Sequence, residues 1–109
     1  MVVQKIRTVF DEINLLTIKV SKGKGAESDF KNISDKIITM LVDNMEVITL
    51  EYLIAAEKSI SAAKDVFLRN DYYESDLIGL FLDEAKLKIR FAIYFENKDF
   101  ETVVNREMD

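Results

Sequence analysis

The stretch "VVQKIRTVFDEINLLTIKV" (Val2 to Val20) carries the apolar seam that decides the predicted fold. Its apolar residues recur in alternating steps of four and three, at Val2, Ile6, Val9, Ile13, Leu16 and Val20. This spacing is typical of a helix that buries one face against another helix. Residues 15–20 are also rich in β-branched side chains and would alternate as a strand. We predict a helix near residues 2–20 and leave its end open between helix and strand.

The same spacing continues along the rest of the chain and predicts further helices. We place them near residues 29–43, 49–69, 72–96 and 99–107. Proline is absent and glycine occurs three times, which favours long helices with few connections. At 109 residues the chain has the length of one domain. The predicted fold is therefore all-α, a single domain over residues 1–109 built as a small antiparallel bundle of four to five helices.

The long apolar pattern between residues 29 and 69 needs an interruption. One continuous helix there would be about 60 Å long, which exceeds the size of a compact domain. Asp43 and Glu46 have the spacing of a capping box, and the β-branched run Val47 to Thr49 lowers helix propensity. We predict a break near residues 43–49, while the pattern alone leaves open whether this segment is one helix or two.

The connection after the first helix, "SKGKGAES" (Ser21 to Ser28), holds two of the three glycines. Its glycine and lysine spacing differs from that of a phosphate-binding loop, so we interpret it as a flexible link between helices. Ser28 or Asp29 is suited to cap the helix that follows.

The predicted fourth helix carries two apolar stripes, which indicate contacts with neighbours on two sides. The first stripe consists of Leu77, Phe81, Ala85, Ile89 and Ala92. The second stripe consists of Tyr73, Leu77, Leu80, Leu87, Phe91 and Tyr94. We expect this helix to be the central element of the core.

Charged residues on the fourth helix are spaced for pairing along the helix surface. Asp83 with Lys86 and Glu84 with Lys88 are three and four residues apart. Such pairs stabilise a helix by a few tenths of a kcal/mol each. They explain these carboxylates without a catalytic role.

The composition excludes much enzyme chemistry. The chain has no cysteine and no histidine, so it lacks a thiolate nucleophile, the usual zinc ligands and the side chain that titrates near neutral pH. The acidic cluster Asp71, Glu74 and Asp76 has the oxygen ligands that hard cations take, but its spacing fits helix capping better. We predict a protein that is not an enzyme, with no catalytic, cofactor or metal site.

The apolar segments are too short for a membrane span. The densest run, "IITMLV" (Ile37 to Val42), is far below the roughly 20 residues that a spanning helix needs. Asp11 and Glu12 interrupt the region that would form the apolar part of a signal peptide. We predict a cytoplasmic protein with no membrane partner.

Two short stretches resemble each other. In "FLRNDYYES" (Phe67 to Ser75) and "FENKDFETV" (Phe95 to Val103), an aspartate follows a phenylalanine by four positions and precedes an aromatic residue. We interpret both as joints between helices. Asp71 and Asp99 would cap the following helices, and the flanking aromatic residues would pack across the turn.

These joints resemble the helix–turn–helix junction of tetratricopeptide repeats. In residues 92–104 the matching positions are Ala92, Tyr94, Phe95, Asp99 and Phe100. In residues 67–75 they are Phe67, Asn70, Asp71, Tyr72 and Ser75. Lys98 stands where the family prefers glycine, and the interval of 28 residues between the two aspartates departs from the family's period of 34. The resemblance implies a peptide-binding or scaffolding surface without catalytic residues.

We therefore predict a non-catalytic protein–protein interaction module, either an accessory subunit of a larger complex or a self-associating homodimer. A small bundle with this much apolar stripe can exceed what it buries internally. The candidate contacts on the first helix are Val3, Phe10, Leu15 and Ile18.

The alternative is a nucleic-acid-associated regulator that acts within a complex and uses the basic N-terminal third. Residues 1–36 have a net charge of +2, which leaves −7 for the remainder of a chain whose total is −5. The candidate phosphate contacts are Lys19, Lys22, Lys24 and Lys31. Nucleic-acid domains usually have an overall basic excess, so this hypothesis stands second.

Overall fold

The structure is a computed structural model that describes residues 2–69 and 75–97. Within these ranges it contains four α-helices: α1 (Val2–Ser21), α2 (Glu27–Met40), α3 (Val47–Leu68) and α4 (Ser75–Glu96). The predicted all-helical class is confirmed. The predicted helix at 99–107 and the two aspartates of the proposed joints, Asp71 and Asp99, lie outside the described residues.

The helices pack as an up-down-up-down four-helix bundle. Lys5 at the start of α1 binds Asp43, just beyond the end of α2. Phe30 near the start of α2 packs against Phe67 at the end of α3, with ring centroids 5.0 Å apart. The start of α3 in turn contacts the end of α4. Successive helices are therefore antiparallel, and α4 closes the bundle by packing against α1 as well as α3.

The predicted seam of α1 is buried from Ile6 to Val20, and Val2 at its start is half-buried. The seam residues with little or no exposure are Ile6, Val9, Ile13, Leu16 and Val20. Leu16 and Val20 continue the buried face of a helix that runs to Ser21. Residues 15–20 are therefore helix, because burial of the seam outweighs the lower helix propensity of their β-branched side chains.

Small residues bring α3 and α4 close together. Ala56, Ser59 and Ala63 are buried on α3. Small side chains allow two helix axes to approach closely, and among the described residues the contact between α3 and α4 is the most extensive in the bundle. The predicted packing of a small α3 face against a bulkier neighbour agrees with this arrangement.

The connection between α1 and α2 is an ordered helix C-cap. Gly23 has φ +72°, its backbone N–H donates to the carbonyl of Val20 at 3.0 Å, and the N–H of Lys24 donates to the carbonyl of Lys19 at 2.8 Å. These two bonds define a Schellman motif, in which a glycine adopts the left-handed conformation. The segment that the sequence indicated as a flexible link is thus a specific helix stop.

The caps predicted for α2 and α3 are wrong in their details. α2 begins at Glu27 after the N-cap Ala26, and Asp29 acts from the third helical position by accepting the Ala26 N–H at 2.9 Å. The predicted break is present, with α2 ending at Met40 and α3 beginning at Val47. Asp43 does not cap α3, since its carboxylate is bound to Lys5.

Candidate functional site

An exposed apolar stripe runs along the outer face of α4. Leu80 is 65% exposed, Leu87 48% and Phe91 39%. We call this surface the α4 stripe, and its members are Leu77, Leu80, Leu87, Phe91 and Tyr94. With Glu84 included, the positions 77, 80, 84, 87, 91 and 94 alternate in steps of three and four, which is the spacing of a helix-packing seam.

A second seam on α4 fills the core. Its buried residues are Ile78, Leu82, Ala85, Ile89 and Ala92. The sequence had predicted a buried stripe that includes Leu77 and Phe81, which are respectively exposed and half-buried. It had also predicted that the second stripe contacts another helix. That expectation is wrong for Leu80 and Leu87, which face outward in the described part of the chain.

Aromatic stacking fixes one edge of the α4 stripe. The Tyr52 ring on α3 stacks on Phe91 with centroids 5.2 Å apart, and on Phe95 with centroids 5.6 Å apart. The ammonium of Lys88 lies 6.0 Å from the centroid of the Tyr52 ring. Ile48 lies four residues before Tyr52 on the same face of α3 and is also exposed. The apolar surface therefore extends from α4 onto the first turns of α3.

Charged side chains of opposite sign border the other edge of the stripe. Asp76, Asp83 and Arg90 are exposed and recur at intervals of seven residues. They directly precede the seam residues Leu77, Glu84 and Phe91. In a coiled coil, charges at such flanking positions contact the partner helix. Asp83 also binds Lys86 at 3.1 Å, as the sequence predicted.

A second surface feature lies between α1 and α2, where ion pairs bridge the helices. Among the described residues, three such pairs occur: Lys5 with Asp43 at 3.0 Å, Glu12 with Lys36, and Lys19 with Asp29 at 3.4 Å. We call them the ion-pair ladder. The paired residues are spaced by seven along α1, at positions 5, 12 and 19, and again at positions 29, 36 and 43. The ladder therefore extends along most of the two helices.

The alternating sign of the ladder selects one alignment of α1 against α2. A shift of seven residues in one direction would place Lys5 opposite Lys36, and the opposite shift would place Lys36 opposite Lys19. Glu12 would face Asp29 or Asp43 in the same two alignments. Each pair contributes little stability because it is partly exposed, but either alignment shifted by seven residues would bring like charges together.

Cavities lie on both sides of the central ion pair. One, of about 470 Å³, has Val9 and Met40 in its lining and Lys36 at its border. Another, of about 210 Å³, is lined in part by Leu15 and by Glu12. The Oε2 atom of Glu12 is buried and has no hydrogen-bond partner among the described residues. Between described residues, α1 and α2 share the least extensive contact of the neighbouring helix pairs.

Of the four partner contacts predicted on α1, two are exposed and two are half-buried. Leu15 is 62% exposed and Ile18 48%. Val3 and Phe10 are half-buried, and Phe10 packs against the core. Their role in binding stays a prediction. The contact residues predicted from the sequence lie on α1, whereas on α4 the apolar excess indicates a partner without naming contact residues.

The lysines of the nucleic-acid hypothesis lie near the connection between α1 and α2. Lys22, Lys24 and Lys31 are exposed. Lys19 is bound to Asp29 in the ion-pair ladder. The exposed acid Glu27 lies in the same region of the chain, which reduces the local basic charge.

Comparison with known proteins found no matching family model, no matching curated protein and no matching solved structure. The described helices include none with the length and apolar character needed to cross a membrane. Within residues 2–69 and 75–97, no group of three or more acidic side chains is placed to hold a metal ion.

Proposed function

We propose that this chain is a non-catalytic protein–protein interaction module, which acts as an accessory subunit or by self-association, and that its contact surface is the α4 stripe. The observation that supports the proposal is the outward position of Leu80, Leu87 and Phe91 on a helix whose opposite face already fills the core. The cores of protein interfaces are depleted in charged residues and enriched in aromatic ones, and the members of the stripe have this composition, although Glu84 lies at the centre of their seam.

The fold itself does not require apolar residues at these positions. Single exposed apolar residues are common on protein surfaces and need no explanation. The α4 stripe is different, because its members follow one another over about 27 Å at the rise of a helix and keep the spacing of a packing seam. A polar side chain at Leu80 or Leu87 would leave the buried face of α4 unchanged, so packing among the described helices does not account for the apolar character, and this supports a contact outside them.

Phe91 is suited to act as an anchor of the contact. Its ring is held against Tyr52 at a centroid distance of 5.2 Å. An aromatic side chain that is already ordered loses little conformational entropy on binding, and such anchors carry a large share of interface energy.

Site-specific photo-crosslinking in the native cell tests this proposal. A photo-reactive amino acid at Leu87 should yield a defined crosslinked protein, while the same residue at the exposed Lys58 on α3 should not. The crosslink at Leu87 should disappear when Leu80 is changed to glutamine in the same chain. A crosslinking pattern that is the same at Leu87 and Lys58, or that is unaffected by Leu80→Gln, would reject the α4 stripe as the contact surface.

A further inference from the structure

We infer that the α4 stripe is covered by a second copy of this chain, with α4 packed antiparallel on α4 of the other copy about a two-fold axis. This inference rests on the proposed function, since it names the partner of the same surface. It is carried by the order of apolar and charged residues along α4, which is complementary to itself in one orientation and one alignment.

The apolar positions match in the antiparallel orientation. With the two-fold axis between residues 85 and 86, Leu77 of one copy lies opposite Tyr94 of the second copy, and Leu80 lies opposite Phe91. Glu84 lies opposite Leu87. All of these positions belong to the same seam of alternating three- and four-residue steps, so their side chains interdigitate as in an antiparallel coiled coil.

The bordering charges and the length of the stripe together favour this alignment. When Leu80 faces Phe91, the exposed Asp83 of each copy lies opposite the exposed Arg90 of the other, and symmetry makes two such pairs. A shift of seven residues in one direction would place Asp83 opposite Asp83, although Asp76 would then lie opposite Arg90. The opposite shift would place Arg90 opposite Arg90. Either shift also moves two of the apolar stripe residues past the end of the other α4, so the unshifted antiparallel pair buries the most apolar surface and keeps like charges apart.

Glu84 selects the orientation. In a parallel pair each seam residue faces the identical residue of the second copy, so Glu84 would be packed against Glu84. In the antiparallel pair Glu84 faces Leu87, so the two carboxylates are kept apart. A single polar residue in a helix seam specifies orientation and register at a cost in stability. Removal of this carboxylate should therefore strengthen association.

The interface is narrow, so we expect a dimer that dissociates on dilution. The stripe is about 27 Å long and a helix with its side chains is about 10 Å across, which is a smaller footprint than the roughly 800 Å² per partner of a standard interface. Association in the micromolar range agrees with this size.

Sedimentation equilibrium of the purified chain from about 1 μM to about 1 mM tests the association. We expect a monomer–dimer equilibrium that Asp83→Arg or Arg90→Asp alone weakens about tenfold, and that the double variant with both changes restores. Glu84→Leu should tighten it by a similar factor. These residues are exposed, and thermal unfolding of each variant at low concentration checks that the bundle is intact.

Engineered disulfides test the orientation, and the absence of native cysteine makes the result direct. A mixture of Leu77→Cys and Tyr94→Cys chains should give the mixed disulfide, while each variant alone should give little. Disulfide formation by Leu77→Cys alone would overturn the antiparallel orientation.

A mass that stays monomeric over the whole concentration range would overturn self-association. If crosslinking at Leu87 then still captures a different protein in a Leu80-dependent way, the interaction module survives and its partner is another chain. If crosslinking also fails, both proposals are overturned. Failure of the double charge exchange to restore a dimer that forms in the native chain would overturn the alignment.

Discussion

Thr49 at the start of α3 donates a hydrogen bond of 2.9 Å to the carboxylate of Glu96 at the end of α4. The same oxygen of Glu96 accepts the backbone N–H of Glu46, also at 2.9 Å. Glu46 is the N-cap of α3, and within the described residues its own side chain makes no capping bond. A residue 47 positions further along the chain than Thr49 therefore caps α3.

Removal of this cap should weaken the bundle. Glu96→Ala would leave the buried Thr49 hydroxyl and the Glu46 N–H without their acceptor, and we expect the free energy of unfolding to fall by about 1–3 kcal/mol. Urea denaturation measures the change. The matched control is Glu51→Ala, at an exposed position of α3, which should change stability by less than about 0.5 kcal/mol. Equal effects of the two changes would contradict the capping role.

Charge reversal in the ion-pair ladder should be reversible by a second change. Glu12→Lys places two ammonium groups together at the centre of the ladder, and we expect a loss of about 0.5–1 kcal/mol. Addition of Lys36→Glu should recover most of it, which a double-mutant cycle of unfolding free energies measures. Lys58→Glu, at an exposed site outside the ladder, serves as the second change in the control cycle. A coupling energy near zero for Glu12 with Lys36 would show that the ladder does not act on alignment.

Two glycine substitutions should change stability in opposite directions. Gly23→Ala forces a side chain into a backbone with φ +72°, and we expect destabilisation by about 1 kcal/mol. Gly79→Ala, inside α4, should stabilise by about 0.5–1 kcal/mol through helix propensity. An added Cβ meets no atom within 4 Å among the described residues at either position. A steric clash therefore does not contribute to the difference in stability between the two variants. The same sign for both changes, measured by thermal unfolding, would argue against the Schellman stop.

The small face of α3 should not tolerate larger side chains. Ala56 is fully buried, and Ala56→Leu would push α3 away from the helices packed against it at a cost of about 1–3 kcal/mol. Lys58→Leu introduces the same side chain at an exposed site two residues away and should be nearly neutral. Urea denaturation distinguishes the two. If Ala56→Leu left the free energy of unfolding unchanged, α3 and α4 would not be as closely packed at Ala56 as the structure shows.

Local spacing was sufficient to predict the helices and the seam of α1. The periodic run from Ile6 to Val20 identified a buried face because a helix repeats its face in steps of three and four. Length required a break between α2 and α3, since a helix over residues 29–69 would be too long for the bundle, and the capping residues and β-branched run near 43–49 indicated its place. These inferences need only neighbours along the chain.

Contacts between distant residues could not be predicted in this way. The β-branched start of α3 at Val47 was expected to lie outside a helix, and the acceptor that stabilises it comes from Glu96. Asp43 was assigned to a local cap, whereas its partner is Lys5. The ladder did leave a signal, because charges of alternating sign recur every seven residues in α1 and again from Asp29 in α2 to Asp43 just beyond it.

The sequence alone also does not decide which face of α4 is buried. Two apolar seams of similar strength run along this helix, and propensity does not decide which one faces the core. The structure buries the seam that contains Ile78 and Leu82 and exposes the one that contains Leu80 and Leu87. The surplus seam, whose spacing predicts contact with a neighbouring helix, is what distinguishes the described surface of this bundle.

The cap at Glu96 has a consequence for the order in which the chain folds during synthesis. All residues of the ion-pair ladder lie within positions 5–43. The nascent chain therefore contains every charge that aligns α1 with α2 before α3 is synthesised. The first turn of α3 must wait for an acceptor made 47 residues after Thr49. Since contacts distant in sequence form late, we expect the N-terminal hairpin to pair while the ribosome is still making α3, and the first turn of α3 to gain its cap only after the end of α4 emerges.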